Sequence, residues 1–276
     1  MKKQTPIQRT NDGLGIFSGL SELGVKNIFT CDNKKWRNMS LLSNPRAIRK
    51  YERLFALTGI KHKEFIYIRP DHNDAIQVFT EENLLVYKLF NTVKKPYSNL
   101  KILPIYIDGV ITKEKIPIII SPADCLVLVL TAKDRKDKKR FMILVHAGMS
   151  GAYLNIHKKA LKEAKSLYSF HVSDVEAYVF PYISERNYKK PITNNNLLPF
   201  LKSFEWKNFI KRKGKRISLA FGKKIESDLR RIGIKKIFSS GIDTYEAQKE
   251  GRLFSFVYQK KRRAKKFKHF AVVVSL

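Results

Sequence analysis

Two cysteines and six histidines are the metal-ligating thiols and imidazoles of this 276-residue chain, and three of them stand where chemistry could be done. Cys125 separates Asp124 from the aliphatic run LVLVL. His146 closes a second apolar run, FMILV, just before Ala147-Gly148, and His72 follows the segment EFIYIRP in the polar turn PDHND. The charged tip KDRKDKKR joins the two apolar runs, so they read as an antiparallel hairpin in which the start of one strand lies opposite the end of the other. Cys125 and His146 are therefore expected to be neighbours. With His72 as a third ligand they make a His₂Cys set, which leaves the fourth position of a zinc ion open, as catalytic sites do. Without metal, His146 could deprotonate Cys125 to a thiolate nucleophile; with neither role, Cys125 is a small buried hydrophobe. Asp124 reads as an acid or base, as an orienter of a ligand, or as a strand-edge cap. His62, His157, His171 and His269 stand among lysines or on helix and loop surfaces and read as solvated.

These residues need a frame to hold them. Strands are expected at 26–32, 64–70, 105–112, 115–121, 125–131, 141–147 and 175–181, and again at KKIFSS, LFSFVYQ and HFAVVVSL. Helical spacing predicts helices over 45–60, ending at Gly59, over a segment around 81–95, over 150–168, and over 217–234, ending at Gly233. The continuous apolar character of 125–131 and 141–147 implies burial on both faces, so layers must lie above and below them. The expected fold class is α/β, one layered unit of mixed, largely antiparallel sheets. There is no internal repeat and no Gly/Ser/Pro linker to divide it.

The formal charge is +31, from 55 Lys and Arg against 24 Asp and Glu. Basic clusters fall at KDRKDKKR (133–140), KRKGKR (211–216) and QKKRRAKKFK (259–268). They read either as solvated hairpin tips or as contacts to nucleic acid phosphates or another polyanion. No RNP, helix-turn-helix or zinc-finger pattern accompanies them. Cys31 and Cys125 lie far apart with no metal-knuckle spacing, which fits a reducing compartment, and no apolar stretch reaches the length of a membrane span. A soluble, cytoplasmic protein is expected.

Several segments, in order, carry a resemblance: PDHNDAI, DGVITKEKIPIIISPADCLVLVL, ILVHAGMSGAYLNIHKKALKEA, FPYISERNY, and GIDTYEAQKEGRLFSFVYQ with AVVVSL. The set resembles the YfiH/laccase-domain family, whose members are variously named polyphenol oxidase, peptidoglycan editing factor and purine nucleoside phosphorylase. The resemblance runs from about residue 24 to the C-terminus, leaving 1–23 as an N-terminal extension. It implies a single-domain α/β/β/α sandwich with zinc held by His72, Cys125 and His146, and a substrate loop at FPYISERNY in which Ser184 is a candidate ligand contact. It also implies phosphorolysis of adenosine, inosine, guanosine and methylthioadenosine, together with adenosine deamination. Editing of a peptidoglycan precursor and copper-dependent phenol oxidation, with Met149 as a nearby thioether, are the other activities attached to the family. A diverged member acting as a basic nucleic-acid or anion-binding protein is a further possibility. The chain departs from the family pattern in several places. Pro70-Asp71-His72-Asn73 stands near where Gln-Val-His-Gly is usual, Met149-Ser150-Gly151 replaces Trp-Arg-Gly, and Phe254-Ser255-Phe256-Val257 replaces Phe-Ser-Tyr-Arg. The missing arginines are the residue type expected to clamp phosphate bidentately.

Overall fold

The computed structural model describes residues 7–41, 44–95 and 98–276; the first six residues of the expected extension lie outside them. Two sheets make the body. The larger has the spatial order Ile7–Arg9, Leu14–Phe17, Lys26–Thr30, Val272–Ser275, Ile118–Ile120, Glu64–Ile68, Lys101–Ile105 and Val93–Lys94. The second runs Lys236–Ser239, Glu176–Val179, Leu126–Lys133, Arg140–Ala147, Gly109–Thr112 and Ile76–Phe79. Most neighbours are antiparallel, but Glu64–Ile68 pairs in parallel with both of its neighbours, and both edge strands of the second sheet are parallel to the strand beside them.

Period-two alternation distributes the apolar side chains among the layers. Val127, Val129, Met142 and Leu144 face Ile66, Ile118, Val272 and Val274 across the space between the sheets. Leu126, Leu128, Leu130, Ile143 and Val145 point the other way, onto the helices Ile156–Leu167 and Phe221–Ile232. On the far side of the larger sheet, Ile48, Tyr51, Leu54 and Phe55 of the helix Ile48–Thr58 cover Phe65, Ile119 and Val273. The result is the expected α/β/β/α sandwich. The central hairpin is buried on both faces because each face meets a different layer.

The helix Ile48–Thr58 ends at Gly59 (φ 64°) and Phe221–Ile232 at Gly233 (φ 108°), both in the left-handed conformation that glycine adopts without strain. Elsewhere the elements differ from expectation. The segment 105–112 is two strands in two sheets, because the chain crosses between layers at Tyr106–Asp108, with Tyr106 in solvent and Asp108 fully buried. The helix over 150–168 is broken into Met149–Tyr153 and Ile156–Leu167 by Asn155 at φ 56°, a conformation asparagine tolerates. The helix over 217–234 begins only at Phe221; Arg216–Leu219 is the central strand of a small sheet with Lys189–Pro191 and Ile210–Lys213. LFSFVYQ is not a strand: Ser255 accepts a hydrogen bond from the Tyr258 N–H at 3.2 Å and starts the helix Phe256–Lys261. Residues 7–22 form two strands and a short helix at one edge of the larger sheet. Two histidines read as solvated are not. His157 is fully buried, and His269 is half-buried, with burial pushing its pKa down to about 4.

Candidate metal centre

The central hairpin pairs Leu126 with Ala147 and Val127 with His146. Continued by one residue, this register sets Cys125 opposite Gly148, diagonal to His146, so the thiol and the imidazole converge at the open end of the hairpin. His72 comes from the other sheet, in the loop after Glu64–Ile68, where its backbone is at φ 60°. The donor atoms of His72, Cys125 and His146 all lie within 4.8 Å of one another. The two imidazole rings stand edge-to-face with centroids 5.2 Å apart. Among the described residues this is the one group of three His, Cys, Asp or Glu donors that converges on a point.

Asp108, at the crossing between sheets, organises this group. Its Oδ1 accepts a 2.7 Å hydrogen bond from His146 Nδ1, which leaves Nε2 as the lone-pair donor. The same carboxylate accepts the backbone N–H groups of Asp71 (3.2 Å), His72 (3.2 Å) and Asn73 (3.0 Å), and so holds the left-handed turn that presents His72. One buried carboxylate thus orients two candidate ligands from two layers. Sequence reasoning passed over it; the signal available was an acidic residue before Gly109, next to a run of strand residues.

The donor set fits a metal ion sterically as well. A Cβ on Gly148 would stand 3.1 Å from Cys125 Sγ, 3.3 Å from His72 Cδ2 and 3.7 Å from His146 Cε1, so any larger residue would enter the space between the three donors. Electrostatics prepare the thiol. Burial pushes Cys125 up, but the charge and hydrogen bond of His146 and the hydrogen bond of His72 outweigh it and bring the pKa down to about 6. His146 is depressed by burial, yet the Cys125 charge and the Asp108 hydrogen bond raise it to about 9. His72 is raised, chiefly by its hydrogen bond to Cys125.

Asp124 is also buried, at φ 135°. Its carboxylate accepts from Thr244 Oγ1 at 2.6 Å and from the Val257 N–H at 2.8 Å, and its carbonyl accepts from the Ile183 N–H at 2.9 Å. Burial raises its pKa to about 7 against those hydrogen bonds. Three separate chain segments are thereby pinned beside Cys125. Ser184 belongs to the same assembly: its hydroxyl and its N–H both donate to Asp243, which caps the helix Thr244–Lys249. Met149 sits next to Gly148, and its sulfur accepts from the Tyr188 hydroxyl at 3.5 Å. Lys190 stands over the Tyr188 ring, 5.1 Å from its centroid, and is half-buried; burial and the Lys260 charge lower its pKa, outweighing the Asp124 and Cys125 charges. Neither Asp108 nor Lys190 was among the residues expected at the site.

A mixed α/β/β/α sandwich with one His/Cys/His group at the junction of its sheets defines the class. Residues 39–272 match the family described as multi-copper polyphenol oxidoreductase laccase, and the chain belongs to that family. Solved structures that share the fold include three bacterial proteins. The hypothetical protein YfiH of Bacillus licheniformis aligns at TM-score 0.74 and 16% identity, covering 98% of this chain and 99% of that one. YlmD of Geobacillus stearothermophilus aligns at TM-score 0.74 and 16% identity over 98% of each chain. The Neisseria meningitidis protein NMB0706 aligns at TM-score 0.64 and 17% identity, over 91% of this chain and 94% of that one. No curated protein matches. Among the described residues no helix is long and apolar enough to cross a membrane.

Proposed function

We propose that this protein is a zinc-dependent purine nucleoside phosphorylase with adenosine deaminase as a second activity, and that His72, Cys125 and His146 hold the metal. The observation that carries the metal assignment is the convergence of the three donors around Gly148, with Asp108 fixing both histidines. The nucleoside substrate rests on the resemblance of the ordered motifs. Two imidazoles and a thiolate suit zinc and leave one tetrahedral position open. Bound there, zinc would supply a Lewis acid and an activated nucleophile for attack on the nucleoside.

The chain's own residues do the rest. Asp108 keeps His146 in the Nδ1–H tautomer and shapes the His72 turn. Asp124 is assigned a positioning role: both its oxygens accept hydrogen bonds, so it clamps the loop carrying Cys125. Lys190, beside Tyr188, offers a cation for an anionic co-substrate, as a point charge in place of the arginine fork. Copper is the weaker choice, because the thioether that would favour it, Met149, already accepts from Tyr188.

Turnover of adenosine and inosine by zinc-loaded protein, with and without phosphate, tests the proposal. Phosphate-dependent release of free base together with ammonia from adenosine is the expected result. Zinc-loaded protein that converts neither nucleoside would overturn the reaction while leaving the metal site standing. Oxidation of phenols only when copper is supplied would favour the oxidase reading instead.

A further inference from the structure

The small three-stranded sheet has a face that the metal chemistry does not use. Lys189, Ser218 and Lys211 lie side by side across its strands, and Arg216 is directly opposite Lys213 at the hairpin end. These residues, with Arg186, Arg212 and Lys223, line a cavity of about 570 Å³. Glu185 is the one acidic residue in that lining, and its carboxylate is engaged by Lys223. The inner face of the same sheet is ordinary core, with Ile217 and Leu219 buried against the helix layer. Like charges directly opposite on paired strands destabilise a sheet. Here they are concentrated on one concave, exposed face rather than dispersed.

We propose that this groove binds the phosphodiester backbone of a nucleic acid strand. Residues two apart on a strand, such as Lys211 and Lys213, place their side chains on one face about 7 Å apart, and neighbouring strands are about 5 Å apart. The cations therefore form a grid on the scale of successive phosphates in an extended strand. Bound phosphates relieve the repulsion between Arg216 and Lys213, and the counterions released drive association. Lys and Arg without base-reading neighbours predict affinity for the backbone rather than for a sequence. The hairpin supplies the KRKGKR segment, whose exposed strand ends and turn form one wall of this surface.

The test uses the full chain and a fluorescein-labelled single-stranded oligonucleotide, followed by anisotropy across a salt series. Lys211→Glu/Lys213→Glu/Arg216→Glu is compared with Lys136→Glu/Lys138→Glu/Lys139→Glu, an equal charge reversal at the exposed tip of the central hairpin. Thermal melts establish that both variants are folded. The groove variant is expected to bind at least about tenfold more weakly, with the salt slope reduced by about 2, while the tip variant changes by less than about threefold. Cys125→Ala, which removes a metal donor, is expected to bind the oligonucleotide as the natural chain does, so this result is independent of the nucleoside chemistry. Equal weakening by both reversals would show diffuse charge and overturn the proposal. So would the absence of oligonucleotide binding at physiological salt, or equally effective competition by free triphosphate or by vesicles of anionic lipid.

Discussion

At the scale of single residues, Asp108 does more for the site than its place in the chain suggests. It touches His146 through Nδ1 and holds the three backbone N–H groups around His72. Asp108→Ala is therefore expected to lower zinc affinity by about 10- to 100-fold, measured by competition with a chromophoric chelator. Unchanged affinity would separate the carboxylate from the ligands. Protonation gives a second check. With Cys125 at about 6 and His146 at about 9, the thiol is already ionised at neutral pH and the imidazole is protonated. Zinc binding near neutrality should release a proton from His146 and none from Cys125, with the raised His72 adding to the count, and the release should rise further once the pH is taken below about 6, where Cys125 and His72 are both protonated. Calorimetry in buffers of different ionisation enthalpy counts those protons, and a count that does not rise on acidification would contradict the assignment. Cys125 and His146 were legible in the sequence because a hairpin alone makes them neighbours. Asp108 was not, because its partners come from another strand and another loop. His157 was misread although the signal was present: it lies three, four and seven residues before the buried Ala160, Leu161 and Ala164, and so on the buried face of the helix.

At the scale of elements, His157 joins two helices through a hydrogen bond to a buried carboxylate. Its Nε2 meets Asp228 at 3.1 Å, and Lys224 Nζ, also fully buried, donates to the same carboxylate at 2.5 Å. Removing Asp228 would leave Lys224 buried without that partner, and Asp228→Ala is expected to destabilise the fold by about 3–5 kcal/mol in denaturant titrations. A loss below about 1 kcal/mol would mean that water reaches the site. The pH sign is the same for both titrating partners. Burial lowers the His157 pKa, and the His157 and Lys224 hydrogen bonds outweigh burial to hold Asp228 well below the usual carboxylate range. The unfolded chain therefore binds more protons than the native one, and stability should fall as the pH drops below about 6.5 and again below about 4. The continuous apolar runs 125–131 and 141–147 were readable as strands because burial on both faces leaves them uniformly apolar. The segment 105–112 was not readable as two strands, since Asp108-Gly109 reads as a local interruption within one strand and nothing nearby in sequence shows that the chain changes sheet there. In 253–259 strand-like residues outweighed the cap at Ser255, and the local hydrogen bond decided in favour of helix.

At the scale of the whole molecule, a charge of +31 repels itself across a fold held by three apolar clusters. Added salt screens that repulsion, so the thermal midpoint should rise as ionic strength increases from a few millimolar to physiological; a falling midpoint would mean that surface ion pairs outweigh the excess of cations. The layered class was legible because the hairpin, buried on both faces, required a layer on each side. The three-stranded sheet was not, because KRKGKR reads as a polar tip and nothing local shows that Arg216–Leu219, the strand leaving it, pairs with both Ile210–Lys213 and the distant Lys189–Pro191. The two main sheets meet at the junction where His72, Cys125 and His146 converge, the proposed seat of zinc. Elemental analysis of the natural protein beside His72→Ala, Cys125→Ala and His146→Ala, each verified as folded, tests it most directly. About one zinc per chain is expected in the natural protein, lost in all three variants. Zinc retained in full by folded Cys125→Ala and His72→Ala, or a natural protein that takes up none, would contradict it.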